Sequence, residues 1–181
     1  MFGLAAKWNW RRPDPLTRLA DSIEALGDRD RKLVDESARV DRLRTAGALA
    51  LHAVCRRFVD AVNGKLSEAS LLLDPPDYSA GNYHDGGPDL FQINLRGRLL
   101  QIEFTATGEL YSTAEFRRPY VLQGAIRSFN QELPERNTLD EQAIFYCPND
   151  GAPRWFYFDY RTYGTGVVTP DFLAAEMQRL V

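Results

Sequence analysis

The chain has 181 residues, 44% of them hydrophobic and 12% aromatic, and a formal charge of −3, with a pI of about 5.5. That length suits one well-buried core without a forced second domain, and the absence of any long apolar run excludes a transmembrane helix. A net negative field argues against nucleic acid as a partner unless a local basic patch supplies the contact.

Lys7 to Arg12, KWNWRR, sets two tryptophans beside three cations. It reads as an arm folded onto the core, with an anchor for a partner as the alternative. Asp14 can cap and Pro15 can open a short helix in which Leu16, Leu19, Ile23 and Leu26 recur at helical spacing until Gly27 closes it. A long helix is then expected from an Asp28 cap to the Asn63-Gly64 stop, spanning roughly 54 Å, so that either one end projects or the helix bends near Gly47. Its first half is charged, with a thin seam of Leu33, Val40 and Leu43. Its second half carries Ala50, Leu51, Val54, Cys55, Phe58, Val59 and Val62, a stripe broad enough to lie on a sheet. The seam suits either the short preceding helix or a coiled-coil-like contact with a second subunit. His52 has no second ligand at spacings of three or four and reads as a packed or surface histidine.

Ser70 to Leu73 reads as a buried strand, followed by a loop from Asp77 to Asp89 whose length marks it for function. His84, Asp85 and Asp89 offer that loop's candidate ligands for a divalent cation. Asp89 to Thr105 reads as a hairpin turning at Arg96-Gly97, pairing Leu95 with Arg98, Ile93 with Leu100 and Phe91 with Ile102. Phe91, Ile93, Leu100, Ile102 and Phe104 share its apolar face. Gln92, Asn94, Gln101, Glu103 and Thr105 lie on the other, which is either a binding face or a solvated one. Gly108 reads as a turn and Leu110 to Phe116 as a short edge strand. Pro119 is expected to open a helix carrying Leu122, Ile126, Phe129 and Leu133, ended by Pro134, with Arg117, Arg118 and Arg127 near its start. Gln142 to Cys147 and Arg154 to Tyr160 read as strands joined by PNDGAP, and Thr169-Pro170-Asp171 caps a last helix with Phe172, Leu173, Met177 and Leu180 on one side.

The expected fold is α+β, one domain over 1–181: a helical part, 1–66, then a largely antiparallel sheet of about five strands with two helices, 67–181. Cys55 and Cys147 read as buried thiols rather than a disulfide. With the short, non-basic MFGLAA start, that places the chain in the cytoplasm by expectation. No Walker A, GxGxxG, CxxC, HExxH or GxSxG sequence occurs, and there are only two histidines.

Gly87-Pro88-Asp89, thirteen intervening residues, then Glu103-Phe104-Thr105, with the expected Pro119 helix and Gln142 strand, resembles the PD-(D/E)XK nuclease superfamily over roughly Arg44 to Cys147. The resemblance implies that Asp89 and Glu103 hold Mg²⁺, with Glu68 as a further acid, so that the metal activates water for phosphodiester attack. Thr105 stands where that family carries its lysine. The residues themselves point first to a soluble binding or interaction protein without a catalytic constellation, its partner or a second copy meeting the long helix. A nuclease-like protein, active or degenerate, is the alternative. A further alternative is a small-molecule site formed by the polar hairpin face and the Asp77 to Asp89 loop.

Overall fold

The structure, a computed structural model, describes residues 14–68, 70–130, 140–148 and 151–181. Lys7 to Arg12, Leu133, Pro134 and part of the PNDGAP loop lie outside them. The chain divides into two compact units, one ending at Arg39 and one starting at Val40. The boundary falls inside a single helix, α1, Pro15–Asn63, of 49 residues. This corrects the expectation of a short helix closed by Gly27. Gly27 has no left-handed backbone and stays helical. A mid-helix glycine costs about 1 kcal/mol, which the helix-forming residues on either side and the Asp28–Arg31 ion pair offset.

In the second unit the sheet is a meander of seven antiparallel strands among the described residues, in the order β1 to β7. They are β1 (Leu72–Asp74), β2 (Asp89–Leu95), β3 (Arg98–Tyr111), β4 (Tyr120–Asn130), β5 (Asp140–Cys147), β6 (Arg154–Phe158) and β7 (Thr165–Val167), followed by α2 (Pro170–Gln178). The β2–β3 hairpin has the expected register, with Leu95 opposite Arg98, Ile93 opposite Leu100 and Phe91 opposite Ile102. Arg96 (φ 49°) and Gly97 (φ 82°) are both left-handed, the two-residue turn whose twist matches the strands.

Three expectations after the hairpin are corrected. β3 continues through Gly108 to Tyr111, its pairing with β4 shifting register between Ala106 and Tyr111, so Gly108 makes no turn and 112–116 form no strand. The helix expected after Pro119 is the strand β4. Leu122 and Ile126 are spaced for a helix, but with Gly124 and Ser128 they also alternate with period two. β3 would otherwise leave a long row of unpaired backbone groups, and β4 pairs with it from Arg98↔Asn130 to Ala106↔Leu122. The sheet therefore gains β4 and the short β7 over the five strands expected.

One sheet face packs on the second half of α1 and on α2. Leu51, Cys55, Phe58, Phe91, Ile102 and Ile144 are buried in this core, whereas Ala50 is exposed and does not join the stripe. Gly47 is where helix and sheet approach most closely: a Cβ there would sit 2.6 Å from the Tyr146 ring and 2.7 Å from Leu122. The Gly47 carbonyl also accepts a hydrogen bond from Trp155 Nε1 at 2.7 Å. α2 begins at Pro170, with Thr169 Oγ1 accepting from the Phe172 N–H, and Phe172 stacks on Tyr157. On the other face a smaller aromatic cluster of Phe116, Tyr120, Phe145, Phe156 and Phe158 covers one end of the sheet.

Gly124 faces the same constraint within the sheet. A Cβ there would lie 2.1 Å from the Glu103 carbonyl and 2.7 Å from Phe104 Cβ. Gly124→Ala should therefore lose stability at the upper end of about 1–3 kcal/mol in urea unfolding, and an unchanged midpoint would contradict the packing. Both thiols are buried, and burial pushes each from 9.0 up to about 12, opposed at Cys55 by a backbone hydrogen bond and at Cys147 by Arg118. Neither should react with a thiol reagent at neutral pH until the chain is unfolded. Their contribution to stability is complete below pH 9.0, where the unfolded thiol is protonated, and is lost as pH rises toward about 12. A pH series of unfolding midpoints checks the sign.

Candidate functional site

The described structure separates the candidate residues into two groups on opposite faces of the sheet. Glu103, Thr105, Gln92, Asn94 and Gln101 alternate with buried apolar residues of β2 and β3, so they lie on the face turned away from α1. Asp89 belongs to the opposite set, with Phe91 and Ile93. It stands opposite Phe104, while Glu103 stands opposite Leu90. The two acids that the nuclease resemblance pairs therefore project to different sides, and Glu68 is exposed beyond the end of α1.

Asp89 is buried, its Oδ1 accepting a hydrogen bond from Tyr78 Oη at 2.6 Å. Its Oδ2 is buried without a partner among the described residues. Burial, then the hydrogen bond to Asp89, holds the Tyr78 phenol above its ordinary range, so it stays a donor. Nearby, the buried Arg44 guanidinium reaches Asp41 at 3.0 Å, Asp85 at 2.9 Å and the Thr107 carbonyl. Tyr83 donates to the second Asp85 oxygen at 2.6 Å. His84 is exposed. His52 is packed, as expected, its Nε2 2.9 Å from the Pro75 carbonyl and its ring against Tyr78 and Phe91. The Asp77 to Asp89 loop is thus tied to α1 and β3 by Arg44, and its acids are engaged by arginine and tyrosine. Among the described residues no group of three or more His, Cys, Asp or Glu side chains is gathered to hold a metal ion.

On the face away from α1, a groove of about 490 Å³ runs across β3, β4 and β5. Arg127 crosses between two carboxylates: its Nη1 donates to Glu103 Oε2 at 2.8 Å and its Nε to Glu141 Oε2 at 2.7 Å. These bonds, to Glu141 first and Glu103 second, raise the guanidinium pKa further. Beside this triad the rungs become small, Ala125 standing opposite Ala143, and the depression between them is flanked by Phe145, Tyr160 and Pro88. Of the expected binding residues, the structure brings Glu103 and Thr105 into this groove, while Gln92, Asn94, Gln101, His84 and Asp85 lie outside its lining. Arg127 and Glu141 join the site unforeseen, because Arg127 was expected at a helix start. The usable signal was the alternation of Gln123, Ala125 and Arg127 with Leu122, Gly124 and Ile126.

No family model matches this chain, and neither the curated proteins nor the solved structures contain a significant match to it. Among the described residues no helix is long and apolar enough to cross a membrane.

The tie from Arg44 gives a direct expectation. Arg44→Met should cost about 1–3 kcal/mol, discounted because Asp41 and Asp85 are about half exposed, and should speed proteolysis within 77–89. Unchanged cleavage would show that the loop is held without Arg44.

Proposed function

We propose that this chain is a non-catalytic interaction protein that pairs with a second copy of itself through the first half of α1, as a two-stranded coiled coil. The observation that carries this reading is a seam of exposed side chains at heptad spacing. Leu16, Leu19, Ile23, Leu26, Asp30 and Leu33 follow one another at intervals of three, four, three, four and three. The leucines and the isoleucine among them are 57–74% exposed. A single helix cannot fold its first turns back onto its own next turns. The continuity of α1 therefore removes the intramolecular partner that a separate short helix would have supplied.

The polar position in the seam favours one orientation. In a parallel, in-register pair Asp30 meets the Asp30 of the second copy, two carboxylates in an apolar seam. An antiparallel pair sets each Asp30 against a leucine position and avoids that repulsion. Ion pairs within the helix, Asp28 with Arg31 and Glu36 with Arg39, keep its outer faces charged and support the helix independently of the partner. The separation of Asp89 from Glu103 and the engagement of Asp85 by Arg44 support a role in binding over metal-assisted hydrolysis.

Light scattering on the purified chain should return twice the 20.6 kDa chain mass. The double variant Ile23→Glu, Leu26→Glu should return one chain mass with an unchanged aromatic circular dichroism signal from the sheet unit. A wild-type chain that stays monomeric at about 100 μM, where even a weak pair is populated by mass action, would overturn the proposal.

A further inference from the structure

The groove across β3, β4 and β5 has a charge pattern that selects its occupant, independently of how α1 pairs. Arg127 takes one oxygen from Glu103 and one from Glu141. That leaves the second oxygen of each carboxylate without a protein partner among the described residues and leaves the triad with a net charge of −1. Among the described residues no other cation lines the groove. An anionic ligand would meet an arginine already satisfied by two carboxylates and a surplus negative charge, so the pattern rejects phosphate and carboxylate groups. A cation meets two acceptors whose rotation Arg127 already restrains, a preorganised pair.

The rest of the lining says what the cation is attached to. Ala125 and Ala143 raise no side chain above Cβ, and together with Phe145, Tyr160 and Pro88 they give the groove an apolar wall beside the carboxylates. Tyr160 packs T-shaped against Phe158 at a centroid distance of 5.0 Å and is still 55% exposed, so part of its ring stays open to a flat cation. Burial, with Glu115 and Glu141 nearby, pushes the Tyr160 phenol pKa up, so its hydroxyl stays protonated and neutral. A volume of about 490 Å³ falls in the range of small-ligand pockets, enough for a guanidinium with its aliphatic stem. A guanidinium offers several donors in a planar fork and a flat face that stacks on aromatic rings, whereas an ammonium is a compact point charge.

We infer that this groove binds a guanidinium group on an aliphatic stem, carried either by a free small molecule or by an arginine side chain of a polypeptide. The guanidinium lies between the free oxygens of Glu103 and Glu141, and its stem lies over Ala125 and Ala143.

The test is a titration of the full chain, followed by backbone amide resonances, with acetyl-arginine amide. Acetyl-citrulline amide is the neutral isostere, and butylguanidine is the head group alone. The expected result is saturable shifts centred on Ala125, Ala143 and Tyr160 with acetyl-arginine amide. Affinity should fall about tenfold or more for citrulline, and likewise for Glu103→Gln and Glu141→Gln, which keep side-chain volume and hydrogen bonding to Arg127. Butylguanidine binding as tightly as acetyl-arginine amide assigns the site to a small cation. A clear gain for the amide, extended further by arginine-containing tripeptides, assigns it to a polypeptide. Equal binding of citrulline, unchanged affinity in both glutamine variants, or shifts that do not saturate or that fall elsewhere would each overturn the assignment.

Discussion

The carbonyl of Gly47, in the interior of α1, accepts a hydrogen bond from Trp155 Nε1 in addition to its place in the helix ladder. A carbonyl has two lone pairs, so the second bond is chemically available, but an indole reaches it only where helix and sheet nearly touch. Any side chain at residue 47 would collide with Tyr146 and Leu122. This contact binds strands far along the chain to the helix that precedes them all, and it decides which sheet face is covered. Leu51, Cys55 and Phe58 follow from Gly47 on the same side of α1 and are buried with Phe91, Phe104 and Ile144. Because strands alternate, fixing one face toward α1 fixes Glu103, Arg127 and Glu141 on the other.

The open face then carries the groove. Its aromatic end closes over itself through Phe116, which stacks on Phe145 at a centroid distance of 4.3 Å. Beyond that cluster the side chains shrink to Ala125 and Ala143, and the Glu103, Arg127 and Glu141 triad borders the gap. On the covered face, Asp89, Asp85 and Arg44 pin a long loop instead. Asp89 and Glu103, on the paired strands β2 and β3, have different surroundings because the pleat sets them on opposite faces. The first half of α1 is different again: charged around most of its circumference, with one exposed apolar seam.

Much of this was legible from residues alone. The hairpin register was readable because alternation on both arms and a turn dipeptide suited to two left-handed residues pointed to the same pairing. The C-terminal helix was readable from Thr169-Pro170 and the spacing of Leu173 and Met177. β4 was not, since Leu122, Ile126 and Phe129 satisfy a helical period and only pairing with β3, a long-range contact, decides between the two. The same misreading hid the site. A helix from Pro119 to Leu133 gives Arg127 no cross-strand neighbour, whereas the strand pairs it between Gln101 and Glu141, next to Glu103. α1 shows the converse: Gly27 and Asp28 are plausible stop and start signals, but local punctuation yields when the residues on both sides favour the helix.

The central claim, that the first half of α1 meets a second copy of the chain, is tested most directly by a distance between copies. Cys55 and Cys147 are both buried, so a nitroxide can be placed selectively on the exposed Ser22→Cys variant and read by pulsed dipolar spectroscopy. Pairing through the seam predicts a dipolar modulation with one well-defined distance. Its absence at concentrations where the spin-labelled chain is folded would contradict the account.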